Sequence, residues 1–102
     1  VRNETGGAVT SIIINNTTRT ESLTWAGSLA NNKWLKVDVP NRKIYSSSGT
    51  GTDPTAETYS TDESSGFTAG RWPRLTSGSA NVVTLTGVST GRLQAVYRER
   101  YL

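Results

Sequence analysis

The side chains of this chain that could carry out acid–base chemistry are its eight aspartates and glutamates. Glycosidase-type catalysis needs two carboxylates that are held in different environments. The candidates are Glu21, Asp38 and the acids between residues 46 and 70. Asp38 shares the outward side of a predicted strand with Trp34, which could suit sugar hydrolysis. A carboxylate that accepts hydrogen bonds from backbone N–H groups of the Pro40–Asn41 turn is the favoured interpretation, so we expect no catalytic residue.

Nucleophilic and metal-dependent chemistry lack their usual side chains. The chain has no His, no Cys and no Met, which excludes a Ser-His pair, a thiolate, an imidazole zinc site and a disulfide. A calcium site needs several clustered oxygen ligands, and Asp53, Asp62 and Glu63 match no loop template for one. We therefore predict no metal site, no cofactor and no enzymatic activity.

Aromatic side chains are the other residues that could bind a ligand. Three Trp and four Tyr are present, and aromatic faces on β-sandwiches are suited to stacking on sugar rings. Trp34 is the best candidate, because Lys36 and Asp38 lie in register with it. We predict that Trp34, Lys36 and Asp38 contact a glycan or a protein partner. The alternative is that Trp34 packs under segment 46–70 or against a partner subunit.

Composition limits the elements that can position these residues. The 102 residues include 16 Thr and 12 Ser, only 33% are apolar, and the mean hydropathy is −0.47. No run approaches the roughly 18 apolar residues that a membrane span needs. Thr, Ser and Gly are also poor residues for a helical bundle. The composition favours one β-rich domain over residues 1–102 with a modest core.

The hydrophobic pattern has period two, and period 3.6 is absent. Turns rich in Asn, Pro and Gly separate the apolar runs. Six or seven short strands of this kind predict an all-β fold, an antiparallel β-sandwich. The predicted strands are residues 8–14, 20–25, 33–39, 42–45, 80–86 and 92–98.

Strand parity also predicts which side chains fill the space between the two sheets. Residues that alternate with polar neighbours on one strand share a face. Trp25 and Trp72 are predicted to be core or rim residues. The side chains predicted to face the interior are Leu35, Val37, Val83, Leu85, Leu93 and Tyr97.

Segment 46–70 differs from the rest of the chain. It is rich in Ser, Thr and Gly and has few apolar anchors. A structureless loop of this length is uncommon in a compact domain. We predict a long surface loop that is mobile or ordered by a neighbour, without a regular helix, and that proteases cut first.

The charges are unevenly placed. The net charge is +3, all charges between residues 45 and 70 are negative, and five of the last six are Arg. A basic end could meet nucleic acid, but no Lys/Arg run is present. We predict that these arginines face solvent or a protein interface, and that nucleic acid is not a partner.

Several short motifs occur in an order that resembles a known family. They are Val1–Gly7 (an Asn-x-Thr-x-Gly pattern), Val37-Asp38 before Asn41–Ile44, Trp72–Leu75, Ser77–Asn81 and the terminal Val96–Leu102. Together they resemble the C-terminal domain of the distal tail proteins of long-tailed phages (siphophages), and the likeness spans nearly the whole chain. Departures are the Gly-Ser-Ala-Asn form of the usual Gly-x-Asn and the lengthened segment 46–70.

This resemblance implies a galectin-like, jelly-roll-like β-sandwich attached to an N-terminal ring domain. In such proteins the ring is a hexamer between the tail tube and the baseplate or fibre hub, and the C-terminal domain decorates its outside. The resemblance therefore implies a structural virion protein at the tail tip, assembled in the host cytoplasm, with tube, hub or fibre proteins as partners. The chain begins at Val1 without Met or a signal-like apolar stretch, and we expect it to be the C-terminal piece of a longer protein.

Two other functions stay open. One is a carbohydrate-binding module that attaches the particle to host glycans, although the His of a galectin sugar site is absent. The other is an exported adhesin unrelated to phage. For the C-terminus we predict an assembly anchor at Arg98, Arg100 and Tyr101, because Arg can hold a carboxylate bidentately and Tyr offers a rigid apolar face. The alternative there is a solvated strand end.

Overall fold

The computed structural model describes residues 1–74 and 81–95. These residues form an all-β structure in which every pair of neighbouring strands is antiparallel, and this confirms the predicted β-sandwich class. Short 3-10 turns lie at Pro54–Ala56 and Ser64–Gly66. None of the helical segments in the described part has the length and apolarity to cross a bilayer. The strands are β1 Arg2–Asn3, β2 Val9–Asn16, β3 Glu21–Leu29, β4 Leu35–Asp38, β5 Lys43–Ser47, β6 Tyr59–Asp62, β7 Phe67–Gly70, β8 Val83–Thr86 and β9 Gly91–Arg92.

Two layers are formed. The first layer is a four-stranded sheet in the order β7–β3–β2–β8. The second layer contains the three-stranded sheet β4–β5–β6 and the pair β1–β9. A bridge between Arg2 and Trp34, and a hydrogen bond of 2.6 Å from the Leu35 N–H to the Val1 carbonyl, set β1 beside the start of β4.

The order of pairing is that of a rolled hairpin. β1 pairs with β9, β2 with β8 and β3 with β7, while β4, β5 and β6 form the meander at the tip. Nested pairing of first and last strands is how jelly-roll sandwiches wrap two sheets around one core. It also brings segments that are far apart in sequence to the same sheet edge, as at Arg2 and Arg92.

The core lies mostly on the first layer. Alternation along β2 and β3 turns Ile12, Ile14, Leu23 and Trp25 inward as directly opposed pairs. A Cβ at Gly27 would lie 2.6 Å from the Trp25 ring, so the backbone passes over the indole only because this residue has no side chain. Across the sandwich the second layer contributes Leu35 and Ile44. The buried apolar cluster is Val1, Val9, Ile12, Ile14, Leu23, Trp25, Leu29, Leu35, Ile44 and Val88.

The predicted interior residues divide into three groups. Leu35 is fully buried as expected, and Val37, Val83 and Leu85 are partly buried against the core. Leu93 was expected to face inward but is 40% exposed. The reason is that β9 pairs only with the two-residue β1 and ends at Arg92, so Leu93 lies outside the sheet. Tyr97 lies outside the described residues.

Segment 46–70 is not one continuous loop, while its expected mobility and cleavage by proteases stay predictions. The segment holds β6, which pairs with β5, and β7, which pairs with β3. Backbone pairing fixes both strands in the domain, and Phe67 of β7 also packs against the core. The helical residues of this segment form two short 3-10 turns, Pro54–Ala56 and Ser64–Gly66.

Candidate functional site

Trp34 is a core residue. It is 3% exposed, and its indole N–H donates to the Gly51 carbonyl at 2.8 Å. Its backbone N–H donates to the Ser47 hydroxyl at 2.9 Å. The expectation that this ring is exposed for stacking on sugar is therefore wrong, because segment 49–51 covers it. The alternative, that Trp34 packs under the long segment, is confirmed.

Lys36 and Asp38 do share a surface, but with tyrosines instead of Trp34. Directly paired residues of neighbouring strands lie on one face, and Lys36 pairs with Tyr45 while Asp38 pairs with Lys43. The Lys36 ammonium lies 5.3 Å from the ring centroid of Tyr59 on β6. We call this surface the outer face: Lys36, Asp38, Lys43, Tyr45, Tyr59 and Asp62.

Two polar contacts fix the rims of the outer face. Asp38 accepts a hydrogen bond of 2.9 Å from the Asn41 side-chain amide, so it caps its turn through a side chain rather than through the expected backbone N–H groups. The Tyr59 hydroxyl donates to the Pro54 carbonyl at 2.8 Å. Burial, together with the charges of Glu57 and Asp53, raises the pKa of Tyr59 above its ordinary value. This phenol is a neutral donor that already has its acceptor.

A polar cleft opens on the other side of the second layer, between it and the end of β3. Its volume is about 380 Å³. The Leu29 side chain forms part of its wall, and Lys33 and Glu63 supply one charge of each sign. We call it the hydroxyl cleft, after the Ser28, Ser46, Ser48, Ser60 and Thr61 side chains that line it.

Glu63 supplies the carboxylate of the hydroxyl cleft, and several hydrogen bonds fix its position. Its backbone N–H donates to the Ile44 carbonyl at 2.7 Å, and its backbone carbonyl accepts from the Trp25 indole at 3.0 Å. Its side-chain Oε1 accepts from the Ser46 hydroxyl at 3.1 Å. The position of this carboxylate is thus set by both layers and by a neighbouring hydroxyl.

Two glutamates are each held between two arginines. Glu21 accepts from Arg19 at 2.7 Å and from Arg74 at 2.9 Å. These hydrogen bonds, Arg19 first, lower the pKa of Glu21 below its ordinary value. Glu4 accepts from Arg2 at 2.7 Å and from Arg92 at 2.8 Å.

The carboxyl of Glu4 is influenced in both directions. Desolvation raises its pKa, but the hydrogen bond from Arg2 and the charge of Arg92 together outweigh it, so the pKa of Glu4 lies below its ordinary value. Arg2 also donates to the Thr50 and Gly51 carbonyls at 2.8 and 3.2 Å. Arg74 and Arg92 of the basic C-terminal part are therefore engaged within the fold.

The residues of the opening motif form a local cluster of hydrogen bonds. Asn3 is fully buried, and its amide donates to the Gly7 and Leu29 carbonyls at 2.7 and 2.9 Å. Its Oδ1 accepts from both the backbone N–H and the hydroxyl of Thr5. The Asn-x-Thr-x-Gly spacing thus joins the start of the chain to the end of β3.

The remaining predicted site residues take no part in a shared centre. Asp53 caps the 3-10 turn that follows it by accepting from Thr55 at 2.7 and 3.0 Å. Asp62 accepts from the Ser64 backbone at 2.8 Å. Among residues 1–74 and 81–95, no group of three or more Asp, Glu, His or Cys could hold a metal ion. Arg98, Arg100 and Tyr101 lie outside the described residues, so the predicted assembly anchor stays a prediction.

Sequence reasoning missed the hydroxyl cleft and the tyrosines of the outer face. Ser46 and Thr61 face the cleft from neighbouring strands, and they are directly paired in register. The missing signal is β6 itself, because a Tyr-Ser-Thr-Asp strand has no apolar alternation. The alternation of Tyr45 with Ile44 and Ser46 could have placed that ring on the outer face.

Comparison with protein-family models, with curated proteins and with solved structures finds no match for this chain. The contacts of the described residues therefore carry what can be inferred about function. Two features bear on function: the hydrogen bonds among the motif residues, and the Ser- and Thr-rich lining of the hydroxyl cleft.

Proposed function

We propose that this chain is the peripheral domain of a distal tail protein, a structural component of the tail tip of a long-tailed phage. In this proposal it decorates a hexameric ring formed by its own N-terminal domain. It presents a surface to tube, hub or fibre proteins or to the host envelope. It carries out no catalysis and uses no cofactor.

The observation that carries this proposal is that the spaced residues of the family-like motifs bond to one another. Asn3, Thr5 and Gly7 are separated by single residues, and each pair of them is joined by a hydrogen bond of 2.7 to 3.0 Å. Because its residues bond to one another, the Asn-x-Thr-x-Gly spacing has a structural reason, which three unrelated polar residues would lack.

Two other motifs behave in the same way. The buried Asn16 side chain donates to the Arg74 carbonyl at 2.7 Å and to Asn81 Oδ1 at 3.4 Å, and both partners belong to the Trp-Pro-Arg-Leu and Gly-x-Asn regions. Asp38 and Asn41 bond across the hairpin turn of a third motif. These contacts support the resemblance because they use its separated pieces as one structural unit.

The pairing of β1 with β9 also supports this proposal. It sets the opening motif beside the strand that leads to the C-terminal signature, and the Arg2–Glu4–Arg92 contacts join the two. One edge of the second layer thus holds the opening motif and β9, the strand that precedes the terminal motif in the sequence. We assign the contact with the ring domain to this edge.

Electron microscopy of virions tests the proposal. Antibodies raised against this domain should label the tail tip of particles released from the source strain, with preadsorption on the purified domain abolishing the label. The protein that they detect in disrupted tails should be longer than this chain and should run as a hexamer. Label that is absent from tails, or a labelled protein that is a monomer without a ring domain, would contradict the proposal.

A second candidate function is a carbohydrate-binding module that attaches the particle to host glycans. Burial of Trp34 removes the stacking ring on which that hypothesis first rested. The hydroxyl cleft favours it independently, because the cleft is rich in Ser and Thr and backbone contacts fix its Glu63.

A further inference from the structure

We propose that the hydroxyl cleft binds a neutral saccharide of one or two rings. This inference rests on the second candidate function above and gives it a site and a ligand class. It does not depend on where the domain sits in a virion.

The first step is the position of the cleft in the sandwich. Leu35, Ser46 and Thr61 are directly paired across β4, β5 and β6, so they form one row on the inner face of the second layer. Leu35 is buried in the core, whereas Ser46 is half-buried and Thr61 is exposed. Inner-face positions of a sandwich normally carry apolar side chains. Hydroxyls at this end of the row keep the space between the layers open and polar.

The second step is the preorganised acceptor. Glu63 is fixed by its own backbone on both sides and by the Ser46 hydroxyl at Oε1. Its Oε2 accepts no hydrogen bond from any residue in the described ranges 1–74 and 81–95. A carboxylate with free acceptor sites can take the hydroxyl protons of a vicinal diol, and hydrogen bonds to a charged acceptor are the strong ones.

The third step is the matching donor. The Lys33 ammonium donates to the Ser47 and Ser48 carbonyls at 3.2 and 2.6 Å. An ammonium has three N–H donors, so one is left that can reach a ligand oxygen. The two carbonyls hold this flexible side chain in place before a ligand arrives, which lowers the entropic cost of binding.

The fourth step is the choice of ligand class. An anion would meet the Glu63 carboxylate, and an apolar ligand would leave the Ser and Thr hydroxyls without partners, which is costly. A neutral polyol satisfies hydroxyls that both donate and accept, a carboxylate and an ammonium at once. The volume of about 380 Å³ falls in the range of small-molecule sites.

An NMR titration of this chain tests the inference. Glucose, galactose, N-acetylglucosamine and the disaccharides lactose, cellobiose and chitobiose would be added to labelled protein, with N-acetylneuraminic acid as the anionic probe and glycerol as a non-specific polyol. At least one neutral saccharide should shift the backbone amides of Ser46, Ser60 and Thr61 in a saturable manner at millimolar concentration. The anionic sugar and glycerol should not.

Two cleft variants and one control sharpen the result. Glu63→Gln keeps the shape and the acceptor for Ser46, and should weaken binding at least about tenfold because a charged acceptor is lost. Ser60→Trp, at an exposed position, should abolish binding by filling the mouth of the cleft. Lys43→Ala on the outer face should change the affinity by less than about twofold.

Three results would overturn the inference. They are no saturable shift with any neutral saccharide, saturable shifts confined to outer-face residues such as Lys36 and Tyr59, and undiminished binding by a folded Glu63→Gln variant. Each leaves tail-tip labelling untouched, so failure of this inference is distinguishable from failure of the structural function. Conversely, absence of tail-tip label would leave saccharide binding by the cleft intact.

Discussion

The two layers of this sandwich are stabilised by different means. In the first layer the inward rows are apolar on both strands, with Ile12 opposite Trp25 and Ile14 opposite Leu23. In the second layer the row that begins at Leu35 passes into Ser46 and Thr61. The first layer is thus held mainly by burial of apolar surface, which scales with area. The second relies on backbone pairing and on side-chain hydrogen bonds that each contribute modestly.

This difference separates stability from binding within one small domain. A layer packed with apolar side chains cannot open a polar site without losing its core. The β5–β6 end of the second layer can, because backbone hydrogen bonds hold it, such as those from the Glu63 N–H to the Ile44 carbonyl and from the Ser47 N–H to the Trp34 carbonyl. We infer that changes in the first layer alter folding, whereas changes at that end alter ligand contact.

The largest effect is expected for Trp25→Ala. Trp25 is fully buried, and its indole also donates to the Glu63 carbonyl, so the change removes core volume and one tie between the layers. The free energy of unfolding should fall by about 3–5 kcal/mol. Urea unfolding followed by circular dichroism measures it.

Trp72 provides the matched control. It is half-buried and stacks on Phe67 with ring centroids 5.1 Å apart. Trp72→Ala should cost clearly less than Trp25→Ala, because part of its ring already meets solvent. Equal losses for the two variants would contradict the picture of a core centred on the first layer.

The next effect concerns Asn3→Ala. The change leaves the buried Leu29 carbonyl without its amide donor, removes one of two donors to the Gly7 carbonyl, and removes the acceptor for Thr5. Unsatisfied buried groups cost about 1–3 kcal/mol. Asn31, whose side chain accepts from Gly6 at an exposed site, is the comparison. If Asn3→Ala and Asn31→Ala unfold at the same urea concentration, the hydrogen-bond cluster of the opening motif stabilises the fold no more than a surface turn does.

The sequence predicted β2, β3 and β8 of the first layer, because apolar and polar residues alternate along them, but it missed β7, which lies in the predicted loop. Leu23 and Trp25 alternate with Ser22 and Thr24, and the structure turns both of them inward. The β4–β5 hairpin was predicted equally well, since a Pro-Asn turn divides two runs in which apolar and polar residues alternate. The strand β6 was not, because Tyr-Ser-Thr-Asp carries no apolar period and owes its place to pairing with β5.

The candidate site was predicted only in part, for a related reason. Lys36 and Asp38 were correctly assigned to one surface, since parity within a strand is local. Trp34 was assigned to the same face, but it lies before β4 and is buried under segment 49–51, where its indole N–H donates to the Gly51 carbonyl. Glu63, Ser46 and Lys33 are brought together only by the folded sandwich, so no residue spacing along the chain predicts the hydroxyl cleft.

A pH titration of stability should separate the ion pairs from the core. The pKa of Glu21 lies below its ordinary value of 4.5 because Arg19 and Arg74 donate to it. A lowered pKa means stability that is fully present above about pH 4.5 and is lost as the pH falls through the lowered value. Glu21→Gln should therefore be less stable at neutral pH and should lose less on acidification.

Thermal unfolding across this range measures the difference between the two proteins. The gap in melting temperature should narrow as the pH falls below about 4.5, and it should also shrink at neutral pH in about 1 M salt, where charges are screened within about 3 Å. A gap that is independent of both pH and salt would show that Glu21 acts through packing instead of charge.

The smallest effect is expected for Lys36→Ala on the outer face. The Lys36 ammonium lies 5.3 Å from the Tyr59 ring centroid at an exposed site, where such contacts contribute about 0.5–1 kcal/mol. Lys43→Ala, on the neighbouring strand of the same face, removes an ammonium that has no aromatic contact within residues 1–74 and 81–95, and should stay within about 0.5 kcal/mol of the parent. A double-mutant cycle of Lys36→Ala with Tyr59→Leu isolates the pair from its surroundings. A coupling free energy near zero would mean that the contact between Lys36 and Tyr59 adds nothing to the stability of the second layer.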